Sequence, residues 1–387
     1  MNVPSLKPPT IIDSVADIDT LRRGLQGVTR FAVDTESNSM HAYQEQVCLI
    51  QISTDEADFV VDPLRLDVGW ELDFLGEALA DPQIEIILHA AEYDLAGMRR
   101  DFGFDISNLF DTMVAARILG WEQFGLANIL MDRYGIHVDK KYQLADWAHR
   151  PLSGDELFYA QLDTHFLLDL RDDLYVRLAA GDHLEEANEL FGEVIAMAPW
   201  PDPNFDPDGF WSISGARHLN SRQAAILREL YLYRDEQARQ ADVPVYKIIP
   251  DKALVIIARN KPTKIKHLRR IRRLRKHHVE NHGRAILAAV DRGMNAEPPE
   301  HPPVPSRPAD EILERYDLLH TWRKERAEAR GVSSEIIMPK SALWYLARNP
   351  PSSLADLQAV DEIGPWRLRT YGAELLNLFV TREWSET

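Results

Sequence analysis

The sequence predicts a mixed α/β domain followed by a pair of small all-helical modules. Three observations carry this. Apolar strand-like runs crowd the first hundred residues and then give way to helical periodicity. Two proline-dense stretches interrupt the chain further on. Beyond the first of them the sequence repeats itself at a fixed offset of 89 residues.

The strand-like runs are "TRFAVDTES", "QVCLIQIST", "ADFVVDPL" and "EIILHAA". The first three follow one another closely, as hairpins do. The fourth leads into "DLAGMRRDFG", "DTMVAARILG" and "GDELFYAQLDTHFLLDLRDDLYVRLA", all of helical pattern. An open sheet of mixed direction flanked by helices accommodates both features. The stretches "APWPDPNFDPDGF" and "NAEPPEHPPVPSRPAD" cannot lie inside a helix or a central strand, so they read as semi-rigid linkers. The expected organisation is an α/β domain at 1–197, a linker at 198–210, a helical module at 211–293, a proline-rich linker at 294–308 and a second module at 309–387.

The repeat is plain when "IIPDKALVIIARNKP" (Ile248–Pro262) is set over "IMPKSALWYLARNPP" (Ile337–Pro351). The register persists through Leu268 and Leu357, Ile271 and Val360, Gly283 and Gly372, and Leu287 and Leu376. Matched Pro, Gly and apolar positions in one unbroken register imply two copies of one helical unit.

Composition narrows the class. A hydrophobic content of 45% with 27% charged residues is that of a soluble globular chain. The start, "MNVPSLKPPT", lacks the basic-then-apolar order of a secretory signal, and no apolar run reaches the length of a membrane span. One cysteine, Cys48, excludes an internal disulfide and a cysteine-built zinc site, and its apolar setting suits a buried strand residue. These features fit a reducing cytoplasm and no membrane partner, with a monomer as the default expectation. The net charge of −17 is unevenly spread: residues 1–190 hold 14 Lys and Arg against 35 Asp and Glu, and the remainder is +4.

The strand in "FAVDTES" ends on Asp34 and Glu36, whose side chains point the same way and force like charges together. Asp94, in "ILHAAEYDLAGM", follows the fourth strand where a helix begins. Tyr159 and Asp163 lie four apart on one helix face, Asp163 among Leu162, Phe166 and Leu167. Taken singly, these are ordinary: a strand-end charge, a carboxylate at a helix start, a packing tyrosine, an exposed helix charge. Together they are four carboxylates from three separated elements, and like charges crowd together around a cation. An all-oxygen donor set favours Mg²⁺ or Mn²⁺ over zinc. Two such ions, about 3.5–4 Å apart, are the usual arrangement for in-line phosphoryl displacement. Tyr159 would then hold the attacking water.

The order "DTE", then "H(A)…D", then "Y-x-x-x-D" resembles the DEDDy 3′→5′ exonucleases. The stretches "CLIQIS", "FDTMVAARILG" and "DWAHRPLSGDELFYAQLDTHFLLDL" resemble ribonuclease D in particular, and the duplicated modules resemble the HRDC domain. The resemblance implies a ribonuclease H-like fold with a five-stranded mixed sheet. It implies an exoribonuclease that releases nucleoside 5′-monophosphates, with tRNA precursors as its RNA partners and two divalent ions, Mg²⁺ or Mn²⁺, as cofactors. Asp34 would bridge both ions, Glu36 and Asp163 would complete the site of the nucleophile-generating ion, and Asp94 would serve the other. Tyr159 would orient the attacking hydroxide. His89 matches a family histidine and is read as structural. The five residues alone leave a 3′→5′ DNA exonuclease open. A catalytically silent nucleic-acid-binding protein is the alternative from another class.

The one strongly basic run is "KPTKIKHLRRIRRLRKHH", Lys261–His278. Ile265, Leu268, Ile271 and Leu274 recur every third residue, a stripe compatible with two short helices and a turn. Lys264, Lys266, Arg269, Arg270, Arg272, Arg273 and Lys276 are left to contact phosphates, which grips nucleic acid without reading its sequence. At the matching place the second copy reads "LADLQAVDEIGPWRLRTYG" and is nearly free of Lys. There Gly364 can supply a tight turn whose backbone N–H groups face a phosphate, where the first copy has Arg275. The first module is therefore expected to act electrostatically and the second to be mostly structural.

Overall fold

The computed structural model describes residues 6–66, 70–198, 205–303 and 306–380. Parts of both expected linkers, 199–204 and 304–305, lie outside the described residues. The chain forms two compact units. One joins the α/β domain to the second helical module, and the other joins the first module to the segment Ser37–Gln46.

In the first unit, six strands among the described residues form one sheet: β1 (Thr10–Ile12), β2 (Arg30–Ser37), β3 (Val47–Ser53), β4 (Asp58–Val61), β5 (Glu85–Leu88) and β6 (Leu109–Asp111). Their order is β1-β4-β3-β2-β5-β6. β3 and β4 pair antiparallel as the expected hairpin, with Ile50 opposite Val61, while β2 with β5 and β5 with β6 run parallel. The sheet is therefore mixed, with six strands where the resemblance implies five. The additional strand is β1, parallel to β4. At three residues it is too short for alternation to announce it. β2 lies inside the sheet, and Phe31, Ala32 and Val33 are fully buried. Their burial fixes the register that carries Asp34 and Glu36 to the strand end. Helices cover the faces; Leu167, Leu170, Leu174 and Leu178 of the helix Leu167–Ala180 join the same core.

The helices of the two modules begin at positions related by the repeat offset of 89. Helices Ser221–Ala241, Asp251–Asn260 and Lys276–Asn295 correspond to Asp310–Arg330, Lys340–Arg348 and Pro365–Val380. Arg234 Nη1 donates to the Ile249 carbonyl at 3.2 Å, and Arg323 Nη1 to that of Met338 at 3.0 Å. The matched glycines let a short helix pack closely: a Cβ at Gly283 would meet Ile265 at 3.0 Å, and one at Gly372 would meet Leu354 at 2.9 Å.

Three features depart from expectation. Phe210, at the end of the first expected linker, is fully buried in the core of the first module. Trp211 packs against His301 of the second proline-rich stretch, the rings tilted by 49° with 4.7 Å between their centroids. Aromatic anchors thus dock chain that proline otherwise keeps extended. The segment after Glu36 also leaves the α/β domain's unit: Tyr43 donates its phenol to Asp235 at 2.8 Å and its N–H to Asp242 at 3.1 Å. Finally, the basic run holds one short helix, Ile265–Leu268, rather than two, and the long helix Lys276–Asn295 starts inside the run.

Candidate active site and nucleic-acid interface

β2 delivers Asp34 and Glu36, and the helix Gly154–His165 delivers Tyr159 and Asp163. That helix starts at a capping box, in which Glu156 N–H donates to Ser153 Oγ at 3.2 Å and Ser153 N–H to Glu156 at 2.7 Å. It is pinned to β3 by Ser53 Oγ donating to Thr164 Oγ1 at 2.8 Å, one residue beyond Asp163. Carboxylate oxygens of Asp34, Glu36 and Asp163 consequently lie within 4.8 Å of one another.

Asp94 stands in the first turn of the helix Glu92–Phe102. Its Oδ1 accepts from Thr35 N–H at 2.9 Å and from Thr35 Oγ1 at 2.5 Å, which ties it between Asp34 and Glu36 on β2. The turn that launches this helix puts Ala90 at φ 66, a conformation an alanine adopts only under constraint. The constraint is Asp111, which is 1% exposed and accepts from Ala90 N–H at 3.2 Å and Ala91 N–H at 2.8 Å. The same carboxylate caps the helix Thr112–Ile118 through Met113 and Val114 N–H. Sequence reasoning missed Asp111 and Thr35, whose neighbours are remote in the chain. Replacing Asp111 by Ala strips four N–H groups of their acceptor. It is expected to cost about 2–4 kcal/mol in denaturant unfolding.

The electrostatics are those of uncompensated acids. Desolvation first, then the charges of Asp94, Asp163 and Glu36, holds Asp34 well above the usual carboxylate range. Glu36 is pushed up to about 9 by desolvation and by Asp163 and Asp94. Asp163 rises to about 8 through desolvation and Asp94. Asp94 rises to about 7 through desolvation, against the pull of its Thr35 hydrogen bonds. The charges acting on Glu36 and Asp163 are those of other carboxylates, so the cluster fits a divalent cation, and its all-oxygen donors suit a hard one.

Tyr159 is nearly buried, its ring against Tyr142 and Trp147 at 5.5 and 5.9 Å between centroids. Desolvation, then the charges of Asp163, Glu36 and Asp34, raises its phenol above the ordinary tyrosine value, so it stays protonated. His89 has Nδ1 2.9 Å from Thr112 Oγ1, and burial lowers its pKa. Cys48 is buried and its thiol is pushed up to about 12, chiefly by desolvation.

Residues 9–179 match the 3′-5′ exonuclease family. The HRDC domain is matched twice, by residues 223–290 and 312–378. The crystal structure of the catalytic core of RRP6 from Trypanosoma brucei superposes with a TM-score of 0.64 at 30% identity, covering 76% of this chain and 83% of that one. The chain belongs to the 3′-5′ exonuclease family of ribonuclease D and Rrp6. Ribonuclease D of Gluconacetobacter diazotrophicus is 29% identical over 381 residues, 96% of this chain and 92% of that protein. The exosome complex component 10 homolog of Caenorhabditis elegans is 35% identical over 259 residues, 66% of this chain, of which it spans 29% of that protein's length. No helix among the described residues is long and apolar enough to cross a membrane.

In the first HRDC module, Leu268, Ile271 and Leu274 are buried, while Lys264, Lys266, Arg269, Arg270, Arg272, Arg273 and Lys276 are all exposed. Beside them lies a cleft of about 850 Å³ that Arg275 and His277 of the same basic run also line, together with Lys247 and Lys252, which the sequence reading passed over. Those two lie outside the run and only folding brings them to it. The turn before the helix Lys276–Asn295 is strained at Arg273, with φ 87. A left-handed arginine costs about 1–2 kcal/mol. Arg273→Gly is expected to raise stability by about 1 kcal/mol and to weaken RNA binding about threefold, read by chemical denaturation and by fluorescence anisotropy.

Proposed function

We propose that the protein is a metal-dependent 3′→5′ exoribonuclease that releases nucleoside 5′-monophosphates, with the ends of tRNA precursors among its substrates. The observation that carries this reading is the gathering of Asp34, Glu36 and Asp163 beside Asp94 and Tyr159. Asp34, Glu36 and Asp163 would hold one Mg²⁺ or Mn²⁺, and Asp34 with Asp94 a second. When bound, such ions supply a hydroxide at neutral pH and neutralise the charge on the leaving oxygen.

The chain's own groups do the rest. Thr35 fixes Asp94 through one carboxylate oxygen, so the strand and helix present their acids in a set geometry. Tyr159, protonated and clamped between two aromatic rings, orients the water for in-line attack. The exposed cations of the first HRDC module hold the phosphate backbone upstream, without sequence preference. RNA is favoured as substrate because a relative matched along nearly its whole length is a ribonuclease D. A single buried cysteine suits a reducing cytoplasm.

The test is a body-labelled tRNA precursor incubated with and without Mg²⁺, beside a DNA of matched sequence. Mononucleotides should appear only with metal and faster from RNA; equal or faster loss of DNA contradicts the reading. Tyr159→Phe should lower kcat by roughly a hundredfold and leave the metal concentration for half-activation unchanged.

A further inference from the structure

A phenol that orients water has to be aimed, and among the described residues no hydrogen bond holds the Tyr159 oxygen. The rings packed against it therefore set its direction. The two are not held alike. Tyr142 sits on the helical turn Lys140–Leu144, and its own phenol reaches Asp155 at 3.4 Å, an exposed bond. Trp147 is 1% exposed, and among the described residues its ring N–H meets no acceptor. Packing and its backbone alone keep that indole in place.

Arg150 fastens the backbone. Its Nη1 donates to the Trp147 carbonyl at 2.6 Å and to the His149 carbonyl at 2.9 Å. Its Nη2 donates to the Cys48 carbonyl of β3 at 3.0 Å and to Asp62 Oδ1 at 2.8 Å, and Nε donates to Asp62 Oδ2. All five N–H groups of the guanidinium are thereby used. Asp62 is 4% exposed, and its own N–H donates to the Ile12 carbonyl of β1 at 2.9 Å. One side chain thus joins the turn that carries Trp147 to the sheet. A mostly buried ion pair is a weak source of stability. A planar fork with every donor engaged is a strong means of fixing position.

We propose that Arg150 is a positioning residue for hydrolysis: through Trp147 it fixes the ring of Tyr159, and so the direction in which the phenol holds the attacking water. This rests on the reading of the protein as a nuclease in which Tyr159 orients the nucleophile. The stretch "DWAHRP" then acquires a purpose, since the three-residue spacing lets Arg150 turn back onto the Trp147 carbonyl. The partners of Arg150 lie on that turn, on β3 and just beyond β4, whereas the clustered acids come from β2 and two helices. Loss of the staple should therefore spare metal and RNA binding and fall on the chemical step, where a misplacement of about 1 Å costs about a hundredfold.

The experiment is single-turnover cleavage of a labelled single-stranded RNA at saturating Mg²⁺, at a temperature where circular dichroism shows each variant folded. Arg150→Lys keeps a positive charge facing Asp62 but loses the fork. It should cleave about ten- to thirtyfold more slowly, with the Mg²⁺ concentration for half-activation and RNA affinity within about twofold of the wild type. Trp147→Leu, which removes the ring and leaves Arg150 in place, should do the same, and Trp147→Phe should recover most of the rate. The cycle with Tyr159→Phe separates positioning from a merely structural role. With no phenol left to aim, either Arg150→Lys or Trp147→Leu should cost less than about twofold more. A wild-type rate in either folded single variant, or an equal loss in the Tyr159→Phe background, overturns the proposal. Failure of the nuclease reading would show separately, as absence of metal-dependent RNA degradation by the wild type.

Discussion

Asp34→Asn is expected to lower RNA degradation by roughly a thousandfold or more and, at the same time, to raise the melting temperature of the metal-free protein. The two effects have one cause. Asp34 is repelled by Asp94, Asp163 and Glu36 together, on top of its own desolvation. Its amide analogue fills the same space with no charge to desolvate, so the folded state loses an unfavourable interaction. What it also loses is an anionic ligand shared by both candidate ions, worth several kcal/mol of transition-state stabilisation. Activity measured on labelled RNA with Mg²⁺, and melting measured in EDTA, must therefore move in opposite directions. A variant that keeps a tenth of the activity, or that melts lower than the wild type in EDTA, would remove Asp34 from the centre of the site.

How much of this was legible beforehand depends on the range of each interaction. Period-two alternation in "RFAVDTES" placed Asp34 and Glu36 at one strand end, because burial of Phe31 and Val33 leaves no other register. The four-residue spacing of Tyr159 and Asp163 set them on one helix face for the same local reason. The repeat foretold where the three longer helices of the second module begin, at Asp310, Lys340 and Pro365. What escaped were pairings made only in three dimensions. Asp111 braces Ala90 and Ala91 from another strand, and nothing in "FDTMVA" distinguishes that from an ordinary cap. β1 and β6, at three residues each, are strands only because a neighbour pairs with them. Phe210 was hidden among prolines, whose extended path disguised its anchoring in the core of the first module. The Gly364 turn was expected to face a phosphate; in the structure the group at the helix start beyond it is the carboxylate of Glu189, far away in sequence.

The metal-free protein is expected to lose stability as pH rises, the reverse of the behaviour of most carboxylates. Glu36 at about 9, Asp163 at about 8 and Asp94 at about 7 all sit above their ordinary values in the folded state. In the unfolded chain they return to about 4. Between these limits the folded state binds more protons, so the stability they contribute is fully present below about pH 4 and lost as pH climbs through 7 to 9. Divalent ions compete with those protons for the same oxygens, and their affinity therefore rises with pH. At a free metal concentration a hundredfold above Kd, binding adds about 2.7 kcal/mol, or several degrees at about 2–4 °C per kcal/mol for a domain of this size. Melting curves in EDTA and in Mn²⁺ from pH 5.5 to 9 should diverge, the EDTA curve falling and the Mn²⁺ curve holding. In Asp34→Asn the EDTA curve should flatten, because Asp34, itself held well above the usual carboxylate range by desolvation and its acidic neighbours, no longer titrates. Parallel curves would mean that the carboxylates titrate normally, and a cluster that titrates normally has no need of a cation to hold it together.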